Sequence, residues 1–307
     1  MFLRVSAAVT RCLEERSPVG NSILCHAVRN RVQITFNEIL IIESLPRDEY
    51  PRTGTQLYNH LLAEGGMPVA VTLAEPQTAV ELFSVLDQAA LRAEAGGWVP
   101  LIHFEMHGTR DHDALVTASG ERVAWNDVAE PLRHLNIAVR NALIVVLGVC
   151  SGAFIGTAAA NSPLEPAPFS WLVGPDRPVL SFYLPVGFKA FYAELLTTGD
   201  FPQAVAELRR QALPEYGAYD TATLFRKARE VYLRTQAQRP VLNQRVKRIF
   251  RQRRHVLVAE YGGNNQARAA IARQIQDMSE RWDEYYRHFI MADRFPENEG
   301  RFPPIGP

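Results

Sequence analysis

Short apolar runs alternate with helical patterns through the first half of the chain, and this alternation restricts the fold more than any other feature of the sequence. Four apolar runs predict buried strands: FNEILIIESL (Phe36–Leu45), PVAVTLAEP, WVPLIHFEMHG and NALIVVLGVCSG. The segments TGTQLYNHLLAEG and TAVELFSVLDQAALRAEAGG predict helices between the first three strands. A hairpin turning at Ser119-Gly120 and a helix capped near Asn126 are predicted before the fourth strand. This order indicates an α/β fold with a mainly parallel sheet covered by helices on both faces.

The same patterns divide the chain into three predicted parts. Residues 1–33 are ambiguous and form either an irregular lead-in or a hairpin. Residues 34–218 form the α/β domain, in which PVLSFYLP is a candidate for one more strand and GFKAFYAELLTTGD and FPQAVAELRRQAL predict two helices. Residues 219–307 form a charged helical extension, which is interrupted at residues 262–265.

Composition limits the classes of partner that we expect. The 307 residues include 33 Lys and Arg and 33 Asp and Glu, so the formal net charge is zero and gives no general attraction to nucleic acid or membranes. Cys12, Cys25 and Cys150 are too few and too scattered for a disulfide framework or a zinc site, and they indicate a reducing compartment. No apolar run reaches transmembrane length, and the charged N-terminus does not fit a secretory signal. We therefore expect a cytoplasmic protein without a cofactor, a membrane contact or a nucleic-acid partner.

Two of the predicted strands end in a reactive side chain followed by small residues. LIHFEMHG ends in His107-Gly108, and LIVVLGVCSG ends in Cys150-Ser151-Gly152. The carboxyl ends of parallel strands are where catalytic side chains gather. His107 and Cys150 are 43 residues apart, which leaves room for one hairpin and one helix, so their strands can be neighbours about 4.8 Å apart. The sequence therefore predicts that the imidazole and the thiol flank one bound carbonyl group.

This pair of side chains predicts nucleophilic catalysis. A thiolate is a strong nucleophile, and a nearby imidazole favours the thiolate and can later protonate a leaving amine. Gly108 has no side chain, so its N–H can approach a developing oxyanion closely, and the N–H of Cys150 is the second candidate donor. The predicted catalytic residues are thus His107 and Cys150, with Gly108 and Cys150 as the oxyanion donors.

Four segments in the correct order resemble the caspase-like cysteine peptidases, and most closely their bacterial CHAT-domain branch. HFEMHG resembles the strand with the catalytic His-Gly, and VVLGVCSGAF resembles the strand with the catalytic Cys. ALVTASGERVAWNDVAEPL is similar to the hairpin and helix between those strands, and FYAELLTTGDFPQAVAELRRQ to the helix pair after the last core strand. The resemblance covers roughly residues 36–215. Caspases proper have Gln before and Arg after the cysteine, whereas Val149 and Ser151 stand here.

The resemblance implies a fold and an activity. It implies a three-layer caspase-like fold with a helical C-terminal extension, and a cysteine endopeptidase that cleaves a protein substrate. It also implies control by a regulatory protein partner in a bacterial stress or defence system. YPRTGTQLYNHLL resembles the segment in which a caspase arginine binds an acidic substrate residue, so Arg52 is a candidate for that role. Asp176, in VGPDRPVL, is the alternative and would instead select Lys or Arg.

Two other functions are compatible with the sequence. GVCSG matches the Gly-x-Cys-x-Gly form of the α/β-hydrolase nucleophile elbow, which would need a later acid and histidine such as Asp200 and His255. This thiol esterase is disfavoured because too few strands follow Cys150. A catalytically silent caspase-like adaptor, recruiting a partner through the helical tail, is the second alternative.

Three further polar groups have simpler interpretations. His103 is expected to pack against a face of the sheet, and Asp111, His112 and Asp113 are expected to be solvated loop residues rather than a metal site. Residues 245–254 include six Lys and Arg, which could bind nucleic acid or an acidic partner. Val246, Ile249 and Phe250 supply an apolar stripe, however, and favour a helix with a charged outer face.

Overall fold

Eight strands and eleven α-helices occur in the described residues, which are 36–63, 69–211, 214–235 and 237–304 of a computed structural model; the side chains of residues 276–280 are not described. The strands are β1 (Glu38–Ser44), β2 (Ala70–Ala74), β3 (Pro100–Gly108), β4 (Ala114–Val116), β5 (Arg122–Ala124), β6 (Ile144–Gly148), β7 (Trp171–Pro175) and β8 (Tyr216–Asp220). The helices are α1 (Thr53–Ala63), α2 (Ala79–Glu94), α3 (Trp125–Ala138), α4 (Ile155–Ala160), α5 (Leu184–Thr198), α6 (Phe201–Arg210), α7 (Thr221–Thr235), α8 (Arg239–Tyr261), α9 (Asn264–Glu280), α10 (Trp282–Phe289) and α11 (Asn298–Arg301). The predicted lead-in, with Cys12 and Cys25, lies outside the described residues.

The central sheet has the strand order β2-β1-β3-β6-β7-β8. The strands from β2 to β7 are parallel, and β8 pairs antiparallel with β7 at one edge. The hairpin β4-β5 extends antiparallel from the carboxyl end of β3. From β1, the chain goes to β2 on one side and to β3 on the other. The direction therefore reverses between β1 and β3, and the carboxyl ends of these two strands border the crevice where ligands bind in open α/β sheets.

Helices cover both faces of the sheet because alternate strand residues point to opposite sides. In β1, Leu40 and Ile42 belong to the apolar core beneath α2, α3, α4, α7 and α10. Ile39 and Ile41 belong to the core beneath α1, α5 and α6. The prediction of an α/β fold with a mainly parallel sheet flanked by helices is confirmed.

The structure corrects the prediction of a strand in PVLSFYLP. This segment contains a 3-10 turn, Ser181–Tyr183, and Phe182 is 77% exposed. The strand is instead β7, with Leu172 and Val173 buried between β6 and β8. The sequence does not single out this strand, because it has only five residues and ends in Gly-Pro, a pair that indicates a turn.

The start of α3 also differs from the prediction. The helix is preceded by Ala124, which makes no side-chain capping hydrogen bond, rather than by a cap at Asn126. Trp125, the first helical residue, is buried and donates its indole N–H to the carbonyl of His112 at 2.9 Å. Tertiary packing of the indole therefore fixes this helix start.

Most of the predicted helical extension packs on the sheet domain. β8 spans residues 216–220, so the predicted boundary between residues 218 and 219 falls within a strand of the central sheet. Phe225 of α7 and Phe289 of α10 belong to the main core. In contrast, α8 and α9, which we call the arm, pack on each other around their own apolar cluster. In the described ranges, no helix is both long enough and apolar enough to cross a membrane.

Candidate active site

His107 and Cys150 follow adjacent strands at the carboxyl edge of the sheet. In the register of β3 and β6, Glu105 pairs with Gly148. His107 and Cys150 each follow two residues later, so they lie opposite each other. Met106 and Val149 both belong to the core beneath α2 and α3. Because side chains alternate along a strand, His107 and Cys150 project toward the opposite face.

Gly108 and Cys150 are in direct backbone contact. A Cβ atom at Gly108 would overlap the carbonyl oxygen of Cys150 and lie 3.3 Å from Cγ1 of Val149. Any larger residue at position 108 would push the two strand ends apart. This close approach explains the glycine after His107, and it brings together the two residues whose amides we predicted as oxyanion donors.

Cys150 lies on a strained turn between β6 and α4. Ser151 has φ 58° and ψ 27°, the left-handed conformation that non-glycine residues rarely adopt. A 3-10 turn, Gly152–Phe154, follows and leads directly into α4. Such strain persists only where the surroundings hold the backbone, and it is frequent at active sites. The thiol of Cys150 is partly exposed and not in a disulfide.

His107 is held by Glu49, a residue that we did not predict. Its Nε2 atom lies 2.6 Å from Oε2 of Glu49, in the loop after β1. A carboxylate only accepts hydrogen bonds, so Nε2 carries a proton and Nδ1 is the nitrogen without a hydrogen-bond partner among the described residues. The His107 side chain is 50% exposed and therefore accessible to a substrate. The sequence signal for this role is that Glu49 follows a strand next to β3. The loop also contains Arg47 and Asp48, so the sequence does not distinguish Glu49 from its charged neighbours.

The loop from Asp176 to Leu180 runs beside Cys150. The thiol of Cys150 lies 3.6 Å from the carbonyl oxygen of Val179, and Ser151 N donates to the carbonyl of Arg177 at 3.2 Å. Asp176 is about half-exposed, and its backbone N–H donates to the carbonyl of Glu215. The nearest cation is Arg177, whose Nε is 3.6 Å from Asp176 and 3.9 Å from Glu215. Two acidic side chains, Asp176 and Glu215, thus lie on or next to the loop that contacts Cys150.

Arg52 is bound to acidic residues of the protein itself. Its Nε and Nη2 donate to Oε2 of Glu43 at 2.9 and 2.7 Å, and Nη2 also donates to Glu75 at 2.7 Å. Glu43 also accepts from the backbone N–H groups of Gly54 and Thr55 at the start of α1. This carboxylate is fully buried. The arrangement ties the Arg-Thr-Gly-Thr segment to β1, and it leaves only one nitrogen of Arg52 without a carboxylate.

A buried polar layer continues beneath the site. Glu105, paired with Glu43 in the strand register, accepts from Thr53 at 2.8 Å and contacts Nε2 of His103 at 2.9 Å. Nδ1 of His103 contacts the hydroxyl of Tyr192 at 2.8 Å. Burial, with the charge of Glu105, raises the pKa of Tyr192 well above its usual range, so this hydroxyl stays protonated. His103 thus packs in the helix-covered interior with both nitrogens satisfied.

His112 contacts the turn that follows Cys150. Its Nδ1 is 2.6 Å from Oγ of Ser151, and its ring stacks on Phe154 with centroids 5.1 Å apart. His112 itself has a left-handed backbone, with φ 59°. Asp111 is exposed, and Asp113 bonds to Thr109 and Arg122. The expectation of solvated loop residues is therefore wrong for His112, because a hairpin folds it back against Ser151.

The other candidate residues lie in different surroundings. Asp200 caps α6 by accepting from Gln203 N at 3.0 Å, and His255 is exposed on α8. Neither is hydrogen-bonded to Cys150. Within the part of the chain that the structure describes, no group of three or more His, Cys, Asp or Glu side chains is arranged to hold a metal ion.

Comparison with known proteins places the chain in no family: no family model matches it, and no curated protein is significantly similar to it. The function must therefore be argued from the site itself.

Proposed function

We propose that this protein is a cysteine endopeptidase with a caspase-like fold, in which Cys150 is the nucleophile and His107 the acid–base group. The observation that supports this most directly is the backbone contact between Gly108 and Cys150, which fixes the ends of β3 and β6 together. The site also lies next to the β1–β3 crevice, where α/β sheets bind ligands. The CHAT-like order of motifs in the sequence agrees with this placement.

The residues present are sufficient for peptide hydrolysis. The Cys150 thiolate attacks the scissile carbonyl carbon, forming a C–S bond while the carbonyl electron pair moves onto oxygen. When this intermediate collapses, the C–N bond breaks and the His107 imidazolium gives its proton to the leaving amine. Neutral His107 then takes a proton from water, whose oxygen attacks the acyl carbon and releases the thiolate. Glu49 stabilises the imidazolium form in both steps.

We further propose that the peptidase selects a basic residue before the scissile bond. Arg52 already pairs with Glu43 and Glu75, so an acidic substrate residue would have to compete with two carboxylates. Asp176 lies on the loop that contacts Cys150 and is only loosely paired with Arg177. A guanidinium or ammonium group of a substrate would form a closer ion pair with Asp176 than Arg177 does.

The biological role that we propose rests on the resemblance to CHAT-like peptidases. By that resemblance, this is a cytoplasmic bacterial stress or defence protein that is activated by a partner and cleaves a protein substrate. The adaptor alternative predicts binding of such a partner without any cleavage.

Active-site labelling tests this proposal. The purified protein is treated with acyloxymethyl-ketone peptides ending in Arg or in Asp, and covalent modification is measured by intact-protein mass spectrometry. We expect labelling by the Arg probe in the wild type, complete loss in Cys150→Ala, and a fall of about 10²–10⁴-fold in the labelling rate of His107→Gln. Asp176→Asn should lower the Arg-probe rate selectively.

Controls separate the alternatives. Ser162→Ala, a change in the loop after α4, should label as the wild type does. Faster labelling by the Asp probe would keep the peptidase and return the selectivity to Arg52. Labelling that survives in Cys150→Ala, or folded protein that neither probe labels with or without a cell extract, would contradict the peptidase.

A further inference from the structure

We infer that the outer face of α8 is a binding surface for double-stranded nucleic acid, independent of the proposed active site. This face, which we call the cationic stripe, is formed by one set of neighbouring side chains: Gln244, Lys247, Arg248, Arg251 and Gln252. These positions are spaced three and four residues apart, so they lie on one side of the helix. All five side chains are exposed and together line one surface groove.

Positive charge is concentrated in the arm although the formal net charge of the whole chain is zero. Residues 239–280 contain nine Lys and Arg and three Asp and Glu, against 33 of each in the full sequence. Lys247, Arg248 and Arg251 have no carboxylate partner among the described side chains. In contrast, Arg245 on the inner side of the same helix is buried and donates to the hydroxyl of Tyr232. The three cations of the stripe are thus available to a partner.

The apolar side of α8 is largely covered by α9. The large apolar or aromatic side chains of α8 that remain exposed are Val256 and Tyr261, which form no continuous face for insertion into a lipid surface. Phe250 and Leu257 pack with Ala267 and Ile271 of α9 in the apolar cluster of the arm. An interfacial membrane helix needs a free apolar face. Val246, Ile249 and Phe250, the apolar stripe seen in the sequence, therefore hold α8 on α9. The cations of the cationic stripe face outward.

The composition of the stripe favours a phosphate backbone over an acidic protein. The centre of a protein interface is usually apolar or aromatic, with charges at its rim. The stripe has no apolar or aromatic side chain between Gln244 and Gln252 on its outer side, only cations and amides. Arginine pairs bidentately with phosphate, and amide side chains donate to phosphate oxygens as well.

The absence of aromatic groups from the stripe also favours duplexes over single strands. Proteins that bind single strands stack bases on aromatic side chains, whereas duplexes present a continuous line of phosphates. An α-helix fits the major groove of B-form DNA, and contacts limited to phosphates read no sequence. We therefore expect sequence-independent binding to a duplex. The zero net charge of the chain does not exclude this binding, because most of the compensating acidic residues lie outside residues 239–280.

Fluorescence anisotropy of the full-length protein with labelled DNA and RNA duplexes of about two helical turns tests the inference. With about three phosphates neutralised, the affinity should fall about 40-fold between about 50 and about 200 mM salt. The triple variant Lys247→Gln, Arg248→Gln, Arg251→Gln should lose most of this binding and most of its salt dependence. A matched triple variant, Arg47→Gln, Arg110→Gln, Arg294→Gln, removes the same charge from exposed positions outside the arm and should bind as the wild type does.

Duplex binding is measured independently of Cys150 labelling, so it can be contradicted without contradicting the peptidase. Equal loss of binding in both triple variants would mean that only net charge matters. Competition by polyglutamate, by a single strand or by anionic phospholipid vesicles as strong as that of the duplex would contradict duplex recognition. Unchanged binding in the stripe variant, with an unchanged circular dichroism spectrum, would locate any binding elsewhere.

Discussion

Three histidines near the candidate site differ in how fully their rings are hydrogen-bonded. His103 is fully buried, and both of its ring nitrogens have partners, Glu105 and Tyr192. His107 and His112 each use one nitrogen, and the second has no hydrogen-bond partner among the described residues. A ring with both nitrogens bonded holds structure together, whereas a ring with one unbonded nitrogen can exchange a proton with a bound molecule. Histidine thus serves stability in the buried polar layer, and in the proposed peptidase it serves chemistry at the sheet edge.

Removing Glu105 should have the largest effect on stability, because it breaks the buried contact with His103, the histidine whose two ring nitrogens are both bonded. Glu105→Ala removes the buried partner of Nε2 of His103 and of the Thr53 hydroxyl, and breaking a buried pair costs about 3 kcal/mol or more. We expect urea denaturation to show a fall of that size in the free energy of unfolding. Glu75→Ala, which removes a half-exposed carboxylate, is the matched control and should cost less than about 1 kcal/mol. Equal costs for the two variants would mean that the buried layer does not stabilise the fold.

The buried layer and the edge also differ in what the sequence revealed. The strands β1, β3 and β6 and the positions of His107 and Cys150 were predictable, because apolar periodicity and the order of elements are local signals. The helix α1 was predicted as well, but the role of the segment before it was not. Arg52 looks like a substrate-binding residue in the sequence, and only the fold brings Glu43 and Glu75 to it.

The contacts of Glu49 and His112 could not be read from the sequence for a related reason. Each lies in a loop between regular elements, and each meets its partner across a long stretch of chain. Charged and polar side chains in loops are usually solvated, so the sequence alone predicts solvated residues at both positions. The left-handed conformation of Ser151 was equally hidden, since nothing in Cys-Ser-Gly requires it.

Replacing Glu49 should have the next largest effect, because it removes the charged partner of Nε2 of His107. A hydrogen bond to a charged group contributes about 1.5–3 kcal/mol, so Glu49→Gln should slow labelling of Cys150 by about 10–100-fold. Global stability should change by less than about 1 kcal/mol, since His107 is half-exposed.

The matched control for this change is Asp48→Asn, an exposed neighbour in the same loop. It should label at the wild-type rate. A smaller effect of Glu49→Gln than of Asp48→Asn would show that Glu49 does not orient the imidazole. Stopped-flow labelling with the Arg probe measures both variants under the same conditions.

The smallest effect should come from the contact between His112 and Ser151. Ser151→Ala removes one hydrogen bond and retains the strained backbone, so we expect a loss of about 1 kcal/mol in the free energy of unfolding. Ser151→Gly also removes the bond but adopts the left-handed conformation without strain, which offsets about 1 kcal/mol. The glycine variant should therefore be nearly as stable as the wild type, and thermal denaturation of both variants distinguishes the two contributions. If labelling of Cys150 slows in both variants alike, His112 positions the nucleophile through this bond. If it slows only in the glycine variant, which alone relaxes the strained turn, backbone strain rather than His112 governs the position of the thiol.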